Sequence, residues 1–277
     1  SNLGSTDAPF AIEGDEYDTA YFDKRSKFIH YRPFVLLVNN IEFDHADIFR
    51  DLIDVKKTFT HVRRIVSPVG AIVENGADPN TASLEDTPWT KRIKVGFGKN
   101  CDVIIKNFEQ HQNSSKFTLA WNGIEKTVEW RLQGEYNARN AAMATVGAAL
   151  VSGGKNPLDI DISALANFRG VKRRQEIIFE NKNVLAIEDF GHHPTAIRLT
   201  IESMRQKYGE DERISGRLRR VARARGRGIY RTREHGEDRP RKTYRHRENG
   251  GGTPPRKTPR IRLERRPARQ TRSRRES

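Results

Sequence analysis

Two short apolar runs on either side of a stretch with helical periodicity constrain the fold most. Residues 33–39 (PFVLLVN) and 69–74 (VGAIVE) have the length and composition of buried strands. Between them, residues 51–66 place a set of apolar side chains at helical spacing, namely Leu52, Val55, Phe59, Val62 and Val66. The order strand, helix, strand is typical of parallel sheets, so the sequence predicts an α/β fold.

The rest of residues 1–208 extends this sheet. Residues 9–16 (PFAIEGDE) are predicted to form a further short buried strand. From 91 to 130 the pattern changes to alternating strands with a hairpin turn at Trp121-Asn122-Gly123, which predicts an antiparallel edge on a mostly parallel sheet. An Ala-rich helix is predicted from Asn137 to Val151.

A second α/β domain is predicted to begin near Asn183. Residues 175–188 have the pattern of a hairpin that turns at 181–183, and a helix is predicted from Thr195 to Lys207. The predicted organisation is a partial central domain over 1–182, the start of a C-terminal domain over 183–208, and a basic tail over 209–277.

Basic residues are concentrated in that tail. The formal net charge is +15 at pH 7, which ordinarily favours a nucleic-acid or anionic-membrane partner. Residues 209–277 hold 24 Lys and Arg against 9 Asp and Glu, whereas residues 1–208 hold 27 of each. The first three quarters of the chain are therefore formally neutral, which disfavours nucleic-acid binding as their function.

The tail is predicted to be disordered. Residues 209–277 contain 22 arginines and six residues from the set Val, Ile, Leu, Met, Phe and Trp, too few to offset the entropy of ordering the chain. Two readings remain open: a basic arm that binds phosphate backbones non-specifically, or the translation of a shifted reading frame.

The chain has one cysteine, Cys101, which cannot form an intrachain disulfide and favours a reducing compartment. The apolar runs fall well short of the ~20 residues that a membrane helix needs. The N-terminus has no charged-then-apolar signal pattern. We therefore expect a soluble cytoplasmic protein with no membrane partner.

Two polar clusters follow consecutive predicted strands. The first is EGDEYD at 13–18, whose carboxylates could hold a divalent cation, although acids at strand ends are often only solvated loop residues. The second is NNIEFDH at 39–45, where His45 could be a metal ligand or a base, or neither. Since ends of parallel strands meet at one edge of a sheet, we expect Glu13 and His45 to approach each other.

Two further motifs carry amide and cationic side chains. In GEYNARN at 134–140, Asn137 and Asn140 lie one helical turn apart and could recognise an adenine edge, although Asn137 could equally be a helix cap. FRGVKRR at 168–174 precedes EDFGHHP at 188–194. Paired arginines suit a polyphosphate, and a surface basic cluster is the simpler alternative.

Together these motifs resemble the Mur ligase family, over roughly residues 8–208. The segment DKRSKFIHYRP at 23–33 is most similar to the branch that joins UDP-N-acetylmuramate to the murein tripeptide L-alanyl-γ-D-glutamyl-meso-diaminopimelate, in peptidoglycan recycling. The UDP-N-acetylmuramate–L-alanine ligases are the alternative within the family, and a basic-tailed nucleic-acid-binding protein is the alternative outside it.

The resemblance implies an ATP- and Mg²⁺-dependent ligase that activates a carboxylate as an acyl phosphate. It implies roles for residues of this sequence: Glu13 and His45 as metal ligands, Asn137 and Asn140 in the adenine pocket, and Arg173, Arg174, Asp189 and His192 as nucleotide contacts. His45 and Arg174 are the implied catalytic residues.

The sequence departs from the family pattern in two respects. It contains no G-x-x-G-K-T or G-K-S phosphate loop, and Tyr136 stands where a histidine is usual. The resemblance therefore implies a fragment that lacks the N-terminal domain and phosphate loop and that is inactive alone.

Overall fold

The computed structural model divides the chain into two compact units. It describes residue 5 and residues 8–18, 23–111, 113–181 and 184–209, together with two short strands at 213–217 and 260–264. The first unit comprises residues 1–171 and 193–212, and the second comprises 172–192 and 213–277. None of the helices in these ranges has the length and apolar character of a membrane-crossing segment.

The first unit is built around one sheet. Its elements in chain order are a 3₁₀ helix at Lys27–Tyr31, β1 Val35–Val38, α1 Leu52–Arg64, β2 Ala71–Asn75, α2 Pro79–Ala82, β3 Lys91–Gly96, β4 Val103–Gln110, β5 Ser115–Trp121, β6 Ile124–Trp130, α3 Glu135–Val151, α4 Ser163–Ala166 and α5 Pro194–Tyr208. The strands lie in sequence order from β1 to β6. The predicted α/β fold is confirmed.

The sheet changes from parallel to antiparallel at β4. Strands β1, β2, β3 and β4 run parallel, and β5 and β6 are added antiparallel. The predicted antiparallel edge is thus confirmed for β5 and β6, but β3 is parallel to both of its neighbours. In the hairpin turn, Asn122 and Gly123 have φ of 43° and 82°, the conformation that Asn-Gly favours.

The predicted strand at 9–16 does not form. Among the described residues they have no ladder partner, and Phe10 and Ile12 are 61% and 54% exposed. An apolar run becomes a strand only when a neighbouring strand takes up its backbone hydrogen bonds, and composition does not reveal whether that neighbour exists.

The main core lies between the sheet and α3. The helix buries a face of small and medium side chains against the central strands: Ala138, Ala141, Ala142, Met143, Val146 and Ala149. At Gly147 an added Cβ would lie 3.0 Å from a methyl carbon of Leu37, so the helix sits closer to β1 than a larger residue would allow. This packing places the C-terminal half of α3 against Leu37 of β1.

Helix α1 packs against β1 through three of the apolar side chains predicted from its spacing, Leu52, Val55 and Phe59. Asp51 caps its N-terminus by accepting a hydrogen bond from the Asp54 N–H. Val55 packs with Val38 and Ile41 of the chain that leaves β1. The helix therefore supports the loop that follows β1.

The second unit contains the predicted hairpin. Strands β7 Glu176–Glu180 and β8 Val184–Glu188 pair antiparallel. Strands β9 Arg213–Arg217 and β10 Arg260–Glu264 add to β8 in the order β7-β8-β10-β9. These ten residues form strands where disorder was expected. Apart from Gly209, which follows α5, the rest of the predicted disordered tail lies outside the described residues.

A buried charge cluster joins α1 to the sheet. Arg63 is 0% and Glu74 1% exposed, and the Arg63 guanidinium lies 3.7 Å from a Glu74 carboxylate oxygen. Arg92 donates to the other oxygen of Glu74 at 2.6 Å. Burial lowers the pKa of Arg63, and the negative charge of Glu74 opposes that effect.

We predict that Glu74→Ala lowers the free energy of unfolding by about 3–5 kcal/mol, because it leaves the buried Arg63 charge without its ion-pair partner. Urea denaturation measures this effect. The matched control is Glu85→Ala, which removes the partner of the exposed neighbour Arg64 and should cost about 1 kcal/mol or less. Equal losses in the two variants would show that the buried pair does not carry this stability.

Candidate functional site

The loop that follows β1 is fixed by the start of α2. Asp78 is buried, and its carboxylate accepts hydrogen bonds from the Ile41 N–H at 2.7 Å and from the Thr81 hydroxyl at 2.9 Å. Asn80 donates to the Ile41 carbonyl at 2.7 Å. The backbone at Ile41 is thereby held on both sides, which limits where the polar residues around it can lie.

His45 lies in this loop with an unusual backbone conformation. Its φ is 55°, in the left-handed region that few non-glycine residues occupy. Its N–H donates to Asp44 at 2.8 Å, and its carbonyl accepts from the N–H groups of Ile48 and Phe49. Left-handed backbone conformations of non-glycine residues cluster at functional sites. Here local hydrogen bonds maintain that conformation at His45.

The His45 ring contacts the acidic motif through both of its nitrogens. Nε2 lies 2.6 Å from Oε1 of Glu16, and Nδ1 lies 2.9 Å from the Tyr17 hydroxyl. The Tyr17 and His45 rings meet edge to face with centroids 4.4 Å apart. The motif at 13–18 and the loop after β1 thus come together, although 28 residues separate Tyr17 from His45.

Tyr17 lies in a strongly acidic environment. Burial raises the pKa of its hydroxyl most, and the charges of Asp47, Asp44 and Asp15 raise it further, as does a side-chain hydrogen bond with Asp47. The hydroxyl therefore stays protonated at neutral pH and can both donate and accept a hydrogen bond.

Glu13 does not share this arrangement with Glu16. It is exposed, and within the described residues no ion pair joins it to His45. Nor do three or more His, Cys, Asp or Glu side chains in those ranges form a group that could hold a metal ion alone. The role of Glu13 as a metal ligand stays a prediction.

The segment at 23–31 braces the acidic motif. The Ser26 hydroxyl donates to the Glu16 carbonyl, and the Lys27 N–H donates to the Tyr17 carbonyl at 2.9 Å. Within the segment, hydrogen bonds from the Arg25 side chain and backbone lower the pKa of Asp23 to about 2. The part of the sequence that pointed to the tripeptide branch is therefore structurally coupled to Glu16 and Tyr17.

The start of α3 reaches the same loop. Asn39 donates a side-chain hydrogen bond to Asn140. Asn137 donates to the Gln133 carbonyl at 2.7 Å, so part of its amide is used inside the turn, while the N-cap position belongs to Gly134, with φ of 88°. Asn140 is exposed and its amide is accessible to a ligand.

Arg139 is a half-buried cation next to these asparagines. Burial lowers its pKa, and the charges of Asp78 and Glu135 oppose that shift. Its buried Nε atom has no hydrogen-bond partner among the described residues.

A third contact joins the loop after β1 to α5. Glu42 accepts a hydrogen bond from the Thr195 hydroxyl in the first turn of the helix. His193 caps that helix by accepting from the Thr195 N–H, and its Nε2 lies 3.3 Å from the Phe43 carbonyl. These contacts hold the start of α5 against the loop.

The second unit gathers cationic and polar side chains around Phe190. The guanidinium groups of Arg173 and Arg174 lie 5.3 and 5.5 Å from the centre of its ring. Asp189 is buried and accepts from the N–H groups of Gln175 and Gly191, so its carboxylate holds the turn. His192 is exposed beside the Phe190 ring.

Sequence reasoning did not assign several residues that the structure brings to the site. Glu16 and Tyr17 stood inside the quoted acidic motif, but nothing in the pattern distinguished them from Glu13. The contact between Glu42 and Thr195 spans 153 residues and has no local signal.

Comparison with known proteins identifies the fold family. Residues 10–148 match the model of the Mur ligase middle domain, which is half of the chain. The chain belongs to the Mur ligase family.

Matches to individual Mur ligases cover more of this chain than the family model does. The UDP-N-acetylmuramate–L-alanyl-γ-D-glutamyl-meso-2,6-diaminoheptandioate ligase of Escherichia coli is 41% identical over 77% of this chain and 46% of its own length. Its Haemophilus influenzae counterpart is 38% identical over 75% of this chain and 45% of its own length. The chain thus spans about half the length of the curated relatives it matches.

Solved Mur ligase structures agree with the fold. A murein peptide ligase from Psychrobacter arcticus superposes with a TM-score of 0.52 and 31% identity, covering 71% of this chain and 40% of that one. MurF from Acinetobacter baumannii gives a TM-score of 0.55 at 23% identity over 65% of this chain and 39% of its own, which supports the fold alone.

We predict that Glu42→Ala loosens the start of α5. The variant removes the acceptor of the Thr195 hydroxyl, so backbone amides in the first turn should exchange about tenfold faster, which corresponds to ~1.4 kcal/mol of local stability. Hydrogen exchange measures this. Glu202→Ala, which breaks an exposed pair with Arg198 on the same helix, is the control and should leave that turn unchanged. Equal exchange in both variants would contradict the prediction.

Proposed function

We propose that this chain supplies the nucleotide- and metal-binding part of an ATP-dependent ligase that joins UDP-N-acetylmuramate to the tripeptide L-alanyl-γ-D-glutamyl-meso-diaminopimelate. The proposal rests on 41% and 38% sequence identity to two relatives that have this name. The contacts among the acidic motif, the loop after β1 and the start of α3 support it, because they unite three separate family motifs.

In this reaction the γ-phosphoryl group of ATP passes to the substrate carboxylate. The amine of the tripeptide then attacks the acyl phosphate, forming the amide bond and releasing phosphate, while ADP remains from the first step. The protein positions the reactants and offsets the negative charge of the phosphates. Side chains that bind phosphate and a divalent cation therefore carry most of its contribution.

Glu13 and His45 are proposed to hold a divalent cation together with the phosphates of the nucleotide. The structure places Glu16 rather than Glu13 at His45, with Oε1 2.6 Å from Nε2, so Glu16 is a further candidate ligand. Oxygen atoms of carboxylates are the protein ligands that Mg²⁺ prefers. Bound there, the cation would neutralise phosphate charge.

Asn137 and Asn140 are proposed to contact the adenine. Asn140 is the better supported of the two, because it is exposed and tied through Asn39 to the loop that carries His45. Asn137 keeps only part of its amide for a ligand. Tyr136 stands next to Asn137 in place of the histidine that the family pattern has.

Arg173 and Arg174 are proposed to bind the phosphates, with Arg174 contacting the transferred group. Two guanidinium groups on one aromatic ring concentrate positive charge where a polyphosphate can meet both. His192 is exposed and accessible to nucleotide. Asp189 is already bonded to two backbone N–H groups, so its contribution is to hold this turn in place.

Tripeptide addition is favoured over alanine addition. The UDP-N-acetylmuramate–L-alanine ligase of Desulfitobacterium hafniense is 32% identical over 74% of this chain and 44% of its own length, below the two tripeptide ligases. The 23–31 segment, which is most similar to the tripeptide branch, donates hydrogen bonds to the backbone carbonyls of Glu16 and Tyr17 and so has a structural role. The nucleic-acid-binding alternative rests on the tail charge alone.

We predict that residues 8–208 function as a ligase segment when they replace the matching part of the E. coli relative. The chimera should release ADP in the presence of ATP, UDP-N-acetylmuramate and tripeptide. In it, Arg174→Ala should lower kcat about 100-fold or more, the usual effect of removing a donor that stabilises developing charge. A coupled assay of ADP release measures both the activity of the chimera and the effect of the substitution on kcat.

The control in the chimera is Arg198→Ala, an exposed arginine on α5, which should change kcat little. The 277-residue chain alone should show no turnover, because it contains no phosphate-loop lysine. A folded chimera that fails to ligate, or equal effects of the two substitutions, would contradict the proposal.

A further inference from the structure

The turn that leads into α3 is held by residues at the end of β4. The Gln133 side chain is buried and donates to the His111 carbonyl at 2.6 Å. The next residue, Gly134, donates its N–H to Oε1 of Gln110 at 2.8 Å. Two consecutive residues of the turn are therefore fixed by two consecutive residues of another element, more than 20 positions earlier in the chain.

A single peptide group in this turn links Gln110 to Asn137. Its N–H, on Gly134, donates to Gln110. Its carbonyl, on Gln133, accepts from Nδ2 of Asn137 at 2.7 Å. A peptide group is planar, and its N–H and carbonyl point in opposite directions, so a bond on one side fixes the direction of the other. Gln110 thereby determines where the Asn137 amide finds its acceptor.

The glycine in this peptide makes an outside constraint necessary. Gly134 has φ of 88°, and an added Cβ would lie 2.5 Å from a ring carbon of Tyr136, so a larger residue would not fit without rearrangement. Glycine also adopts other backbone conformations at little cost, so it does not fix the orientation of the peptide by itself. The hydrogen bond to Gln110 supplies that constraint.

The orientation of the Asn137 amide matters for base recognition. A side-chain amide has two N–H donors and one oxygen acceptor, and Gln133 takes one of the Asn137 donors. The second donor and Oδ1 match adenine, which presents an amino donor at N6 beside an acceptor at N7. Guanine presents two acceptors at the same positions, so one of them would face Oδ1. An amide fixed in this way selects adenine over guanine.

We propose that Gln110 is a positioning residue for adenine recognition. It orients the peptide that precedes Gly134, and that peptide orients the Asn137 amide. Because a backbone N–H can only donate, the Gln110 atom that faces it is the oxygen, and Nε2 donates to Gln206 of α5 at 3.3 Å. This inference rests on the adenine site of the proposed function and adds a residue outside the motifs that resemble the family.

The first measurement needs no nucleotide and uses ¹H–¹⁵N spectra of the 277-residue protein. Gln110→Ala should speed hydrogen exchange of the Gly134 amide about tenfold, because the substitution removes its acceptor. The Asn137 side-chain amide signals should shift towards those of a solvated asparagine. Gln110→Glu keeps an acceptor oxygen and should keep both signals as they are in the unmodified protein. Unchanged Asn137 signals in Gln110→Ala would overturn the inference.

The second measurement compares ADP with GDP by titration in the same spectra. Their diphosphates are identical, so the ratio of the two dissociation constants reports on the base alone. The unmodified protein should bind ADP about tenfold more tightly, which lies within the range that one bidentate contact to a base supplies. Gln110→Ala should lose most of this preference, and Gln110→Glu should retain it. A purely structural role of Gln110 would weaken both nucleotides alike, and an unchanged ratio would therefore overturn the inference.

The matched control is Gln206→Ala, which removes the other partner of Gln110 and leaves the bond to Gly134 in place. It should resemble the unmodified protein in the Asn137 signals and in the ratio of dissociation constants. Thermal unfolding of all three variants identifies any that is misfolded. A loss of base preference in Gln206→Ala equal to that in Gln110→Ala would show that the contact with α5 is responsible, against the inference.

The two proposals fail in different ways. If the unmodified protein shows no preference for ADP over GDP, the adenine site is wrong and the role of Gln110 falls with it. If the preference is present and survives in Gln110→Ala, the adenine site stands and only the role of Gln110 is overturned.

Discussion

The polar site depends on one buried carboxylate. Asp78 accepts hydrogen bonds from the Ile41 N–H, the Thr81 hydroxyl and the Asn80 N–H, and Asn80 returns a bond to the Ile41 carbonyl. A buried carboxylate is tolerated only when such donors surround it. The start of α2 therefore holds the backbone at Ile41, and this restricts the conformation of the loop at 39–45.

The three contacts of the site follow from that path. Asn39 reaches α3, Glu42 reaches α5, and His45 reaches the acidic motif, all from seven consecutive residues. Each partner is a family motif that lies far away in sequence. One anchored loop thus brings amide, carboxylate and imidazole groups together, as a metal and nucleotide site requires.

Much of the fold could be predicted from the sequence, because hydrophobic periodicity and turn motifs involve residues that are close together in the chain. The apolar stripe from Leu52 to Val66 predicted α1, and Asn122-Gly123 predicted the hairpin turn, both confirmed. Choices that depend on distant partners were not predictable. Residues 9–16 have strand composition but no ladder partner among the described residues. Ser26 and Lys27 hold the backbone of Glu16 and Tyr17, and it is Glu16 rather than Glu13 that meets His45.

The loop after β1 is proposed to form part of a metal–nucleotide site. Paramagnetic broadening by Mn²⁺–ADP, followed in backbone amide spectra of the 277-residue protein, tests this proposal. The Asn39, His45 and Asn140 signals should disappear at concentrations that leave the β5–β6 hairpin unaffected. Broadening confined to the arginine-rich residues 209–277, or none near His45, would contradict it.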